Sequence, residues 1–151
     1  MRPLILRTLA AVAGLLLSAA VHAAPSRADA QAQVGAAVDH VKKVGVEQAI
    51  KDFNSAPEWK NRGMNVILDD MKGTVLASSL NPRLVGKQTY EIKDPSGKEF
   101  VKEFISVASQ KGEGWIDYQF VNPETKALEE RSMFVRKVAG FEGFVGVAIT
   151  K

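Results

Sequence analysis

The sequence predicts an α+β domain in which a long N-terminal helix packs on a five-stranded antiparallel sheet. Three observations predict it. Apolar residues recur near the helical period early in the chain, and the pattern turns strand-like from Met64 onward. The later apolar runs are joined mostly by short, turn-rich segments, the mark of hairpins rather than parallel crossovers. At 151 residues the chain has the length of one ordinary domain.

The first segment predicts an address rather than a fold element. Arg2 and Arg7 give a positive start, the run from Leu9 to Leu17 is apolar, and Val21-His22-Ala23 ends it. That order is the secretory signal pattern, with cleavage near Ala23. The competing membrane anchor is disfavoured because the run is shorter than the roughly 20 residues a bilayer span needs. The expected division is a signal peptide at 1–23 and one domain at 24–151, soluble and periplasmic.

Ala24 to Ala32 reads as a frayed lead-in. From about Ala30 to Phe53, Val34, Val38, Val41, Ala49 and Phe53 share a helical stripe, and Pro57 stops the helix. Met64 to Leu68 and Thr74 to Ser78 read as a hairpin about Asp69-Asp70-Met71-Lys72-Gly73. Asp94-Pro95-Ser96-Gly97 breaks the chain before a helix from about Lys98 to Lys111, with Gly112 as its stop. Three strands close the sequence: Gly114 to Val121, Leu128 to Val138, and Gly143 to Thr150.

Composition excludes several function classes. The formal charge of +3 falls to +1 once Arg2 and Arg7 leave with the signal peptide, too little for a nucleic-acid footprint. The absence of cysteine removes disulfides, thiolate zinc sites, cysteine nucleophiles and lipid attachment at cysteine. After cleavage His40 is the one histidine, read as a helix-surface residue, and no Gly-x-Ser-x-Gly elbow accompanies it. Asp69 and Asp70 read as a solvated hairpin turn rather than a catalytic or metal-binding pair, because neighbours on a strand point to opposite faces. No phosphate loop, dinucleotide fingerprint or metal-ligand spacing is present, so neither an enzyme nor a cofactor is expected.

Three stretches carry a resemblance. They are Leu68 to Ala77 followed by Asn81 to Lys87, then Lys93 to Val101, and Gly112 to Lys126 with its Gly-Glu-Gly-Trp-Ile-Asp-Tyr element and Asn-Pro turn. In this order and spacing the chain resembles the single Cache domain family of extracytoplasmic, PAS-like sensors. The resemblance implies a long helix against a five-stranded sheet. It places a small ligand, an organic acid or amino acid, between the sheet and the connection after strand two.

Carried over residue by residue, Trp115 and Tyr118 match the aromatic positions of the third strand. By alternation Trp115, Asp117 and Gln119 share one face while Ile116, Tyr118 and Phe120 share the other. Trp115 is equally readable as core. Where the family has a lysine three residues before a tyrosine, both tending to engage a ligand carboxylate, this chain has Arg131 and Phe134. Arginine can hold a carboxylate bidentately. It is equally readable as a charge balancing Glu129 and Glu130. Ser78-Ser79 replace the family's His-Pro, and Tyr90 lies in the connection as a covering aromatic or a surface ring. The expected ligand-binding set is therefore Tyr118, Arg131, Trp115, Phe134, Tyr90 and Ser78.

The expected function is a soluble periplasmic sensory domain for a small carboxylate. With the chain ending at Lys151, its signal would pass to a separate partner, a membrane receptor or a second copy. The alternative is an interaction or dimerisation module with a filled pocket. A hydrolase ranks third for want of a base.

Overall fold

The computed structural model describes residues 23–151. The expected signal peptide at 1–23 lies outside them but for its last residue. The described chain forms two consecutive helices, α1 (Arg27–Val44) and α2 (Val46–Ser55), then a 3-10 segment from Pro57 to Gly63. Strands β1 (Val66–Asp70) and β2 (Val75–Ser78) follow, then helix α3 (Phe100–Lys111). Strands β3 (Glu113–Val121), β4 (Leu128–Lys137) and β5 (Gly143–Thr150) complete the fold. The sheet runs β2-β1-β5-β4-β3 with every neighbouring pair antiparallel.

The α+β class and the five antiparallel strands are as expected; the first helix differs in two respects. Its lead-in is not frayed. Ser26 caps α1, its hydroxyl accepting from the Asp29 amide while Asp29 accepts from the Ser26 amide, so the helix starts at Arg27. Nor is it one helix, because Gly45 stands at φ 87° and ψ 161°, a conformation essentially reserved for glycine, and breaks it. His40 is half-buried beside this break rather than on the surface. Its Nε2 lies 2.7 Å from Asp52 Oδ2, and its ring packs 5.1 Å from Trp59.

Alternation along the strands divides the core into two layers. On one face Val66, Leu68, Phe134, Val145 and Val147 pack with Ala30, Val34, Ala37, Val38 and Val41 of α1 and with Ala49 and Phe53 of α2. On the other, Ile67, Ile116, Tyr118, Met133, Val135 and Phe144 pack with Val101, Phe104 and Ala108 of α3. Each fully buried large apolar side chain contributes about 1.5–3 kcal/mol, so both layers are needed to hold the sheet.

Alternation also corrects the expectation for the β1–β2 turn. Asp70 behaves as a turn residue, its Oδ1 accepting from the amides of Lys72 and Thr74 at 2.9 Å each. Asp69 belongs to β1 and shares parity with Ile67, so it points into the α3-side layer and is only 2% exposed. Its Oδ1 is buried without a hydrogen-bond partner among the described residues. Burial, with a smaller contribution from the Asp70 charge, pushes this carboxyl up to about 8.

Candidate functional site

The connection from Ser79 to Glu99 is laid over the sheet by the Asp-Pro-Ser-Gly turn. Asp94 Oδ1 accepts from the amides of Ser96 and Lys98, and Oδ2 accepts from the amide of Gln119 on β3 at 2.9 Å. Lys98 Nζ donates to the backbone carbonyl of Asp117 at 2.6 Å. The outer edge of β3, which would otherwise be open, is thereby used to fix the connection in place. Burial raises the Asp94 carboxyl, but the hydrogen bonds from Ser96, Gln119 and Lys98 outweigh it and hold the group down at about 2.

That anchorage delivers α3 onto the sheet with Phe100 foremost. The Phe100 ring stacks on Tyr118, centroids 4.8 Å apart and 16° from parallel, while Phe104 meets Tyr118 edge-on at 5.4 Å. Between the sheet and the first turns of α3, aromatic side chains therefore fill the space. An open hollow of about 560 Å³ lies outside α3, lined by Lys93, Gly97, Lys98, Glu99, Lys102, Glu103 and Ser106, and includes neither Tyr118 nor Arg131. Its lysines are already paired: Lys98 with Glu103 and Lys102 with Glu99 (3.0 and 3.1 Å), and Lys93 with Glu99 at 3.8 Å.

Beyond Phe100 two rungs of the β3–β4 ladder present a polar cluster on the same face. Tyr118 opposes Arg131, and Phe120 opposes Glu129. The Arg131 guanidinium lies 4.0 Å from the Phe120 ring centroid, and its Nε and Nη2 both donate to Glu129 Oε2, at 2.8 and 2.6 Å. Asn122 Nδ2 donates to the other oxygen, Glu129 Oε1, at 2.8 Å. These two partners, Asn122 and then Arg131, hold the Glu129 carboxyl below the usual carboxylate range. Burial pushes the Tyr118 hydroxyl up to about 12, with the neighbouring Arg131 charge opposing. At neutral pH this corner thus offers a phenol hydroxyl, a fixed guanidinium and a fixed carboxylate.

The six expected site residues do not converge. Tyr118 and Arg131 come together on the α3 face. Trp115 and Phe134 pack against each other at 5.3 Å on the opposite face, with Arg27 of α1 4.5 Å above the Trp115 ring. Residues 131 and 134 are an odd number apart on one strand, so they cannot share a face. Ser78 is buried, and its hydroxyl exchanges hydrogen bonds with the Asn65 amide group while its own backbone amide donates to Asn54 of α2. Tyr90 is exposed over the β1–β2 turn, where its backbone crosses Gly73 and Lys102 Nζ sits 4.9 Å above its ring. Phe100 and Glu129, which define the corner, were not among the expected ligand contacts. The even spacing of Glu129 with Arg131 on β4 is the signal that points to Glu129, whereas Phe100 on α3 leaves no such trace in the sequence.

A sheet ordered β2-β1-β5-β4-β3, helices across one face, and a helix with a long connection over the other make up the PAS-like architecture of extracytoplasmic sensors. The chain belongs to the single Cache domain 2 family, whose sequence pattern matches residues 17–150. Among solved structures it is similar to a periplasmic sensor domain of a chemotaxis protein, at 20% identity with a TM-score of 0.68, covering 82% of this chain and 93% of that one. A methyl-accepting chemotaxis protein from Vibrio parahaemolyticus is 16% identical with a TM-score of 0.66 over 82% of this chain and 86% of its own. A Cache chemosensory domain whose structure is described as the basis for carboxylic acid recognition is 18% identical, TM-score 0.64, over 80% and 86%. None of the curated proteins matches the chain. Among the described residues no helix is long and apolar enough to cross a membrane.

Proposed function

We propose that the protein is a periplasmic small-molecule-binding sensory domain for a small organic acid or amino acid, held through its carboxylate by Arg131 and Tyr118. The observation that carries this is the rung that places the Tyr118 ring and the Arg131 guanidinium side by side on the α3 face. Arginine offers a rigid donor fork matched to a carboxylate, and only Nε and Nη2 are engaged by Glu129. Family membership supports sensing, and the similar Cache domain described for carboxylic acid recognition supports the ligand class by analogy. Periplasmic placement rests on the N-terminal signal pattern.

The Phe100–Tyr118 stack favours a second reading, a ligand-free interaction or dimerisation module whose pocket is filled by its own side chains. The two are separated by titrating the purified protein and Arg131→Ala with small organic acids and amino acids. Binding that vanishes in Arg131→Ala, with the fold retained, supports the carboxylate site. Unchanged affinity in the variant overturns it.

A further inference from the structure

We propose that Glu129 makes this site select a zwitterion, an α-amino acid, over the plain carboxylate of the same skeleton. The inference rests on the assignment of Arg131 as the carboxylate anchor and adds what the ligand must carry besides that carboxylate.

Glu129 is not a loose surface partner that an incoming anion can push aside. Its Oε2 takes both Arg131 donors and its Oε1 takes Asn122 Nδ2. Asn122 is itself locked in the β3–β4 turn: its Oδ1 accepts from the amides of Glu124 and Thr125, and its backbone amide donates to the Ala127 carbonyl at 2.9 Å. The Phe120 ring beneath Arg131 fixes the other member of the pair. Glu130, next along the strand, faces away and pairs with Gln119.

A ligand carboxylate that reaches the solvent-open part of the Arg131 side chain, which is 25% exposed, therefore meets a balanced ion pair rather than a bare cation. Its own charge is left beside the Glu129 carboxylate, and like charges juxtaposed in an interface are strongly disfavoured. An ammonium on the carbon next to the ligand carboxylate removes that repulsion. Glu129 can receive it, because an ionised carboxylate has about four acceptor sites and the three donors observed leave one open on Oε1. The pattern of one arginine with a fixed carboxylate two residues away thus matches the two charges of an amino acid, and discriminates against the acid alone by repulsion.

The test is calorimetric titration of the purified protein and of Glu129→Gln with L-alanine and with propionate, which differ by the amine alone. Glutamine keeps the shape and the Asn122 contact while removing the charge. The wild-type protein is expected to prefer alanine by about tenfold or more, the scale of one lost charge-assisted contact. In Glu129→Gln that preference is expected to collapse, with propionate gaining and alanine losing. Each preference is a ratio within one variant, so a change in stability does not mimic the result. A wild-type protein that binds propionate as well as alanine, or a preference that survives in Glu129→Gln, overturns the inference and leaves the carboxylate anchor standing. Binding of neither probe by either protein overturns the anchor, and the inference with it.

Discussion

Tyr118 and Arg131 oppose each other across one rung of the β3–β4 ladder, and each has a different neighbour that limits what it can do. Phe100 covers the Tyr118 ring, while Glu129 occupies the Nε side of Arg131. The corner is thus pre-formed in its polar half and closed in its aromatic half. A ligand gains from the first without reorganisation and must displace or stack beside the second.

The buried Asp69 carboxyl gives stability an unusual pH dependence. The folded protein keeps a proton on Asp69 up to about pH 8, whereas the unfolded chain releases it near pH 4. Stability contributed by this group therefore falls as pH rises from about 4 to about 8 and levels off above. Asp69→Asn, which cannot ionise, is expected to raise the melting temperature at pH 8 and to change it little at pH 5. An equal shift at both pH values contradicts the burial argument.

Asp94 works in the opposite sense. Its carboxyl titrates at about 2 in the folded protein, below the unfolded value near 4, so its stabilisation is complete above about pH 4 and is lost as pH falls through 2. Asp94→Ala releases the Gln119 amide and the turn that lays the connection over the sheet. Hydrogen exchange is expected to show faster exchange at Gln119, Ser96 and Lys98 in the variant, with the α1 amides unaffected. Unaltered protection at Gln119 removes Asp94 from this role.

Gly45 carries the break between α1 and α2. An alanine there has open space for its Cβ but must adopt φ 87°, ψ 161°. The expected cost is about 1–3 kcal/mol in chemical denaturation, read at unchanged m-value. A neutral substitution means that α1 and α2 can join as one helix without strain.

Much of the fold was legible in residue patterns because strand alternation is a local property. Val66, Leu68 and Ile67 sort onto their faces by parity alone, and Gly143 to Thr150 needs nothing else. The break at Gly45 and the Ser26–Asp29 cap were equally local, but the apolar stripe from Val34 to Phe53 runs through the break and masks it. Parity also separates Phe134 from Arg131, and Asp69 from its turn. The aromatic stack on Tyr118 was not legible, since it depends on how Asp94 and Lys98 fasten the connection to the edge of β3. That is a long-range arrangement with no periodic trace. Glu129 and Arg131, two residues apart, share a face by parity, but how they pair is not written in that spacing, and the Asn122 clamp on Glu129 is what gives the pair its definite geometry.

The most direct measurement is a thermal-shift screen of the purified protein against small organic acids and amino acids. A ligand that binds only the folded state raises the melting temperature by mass action, in proportion to the logarithm of its excess over Kd. The carboxylate-sensor account predicts a concentration-dependent rise confined to one chemical class and absent in Arg131→Ala. A well-folded protein whose melting temperature is unmoved by every compound contradicts it and points to the filled interaction module.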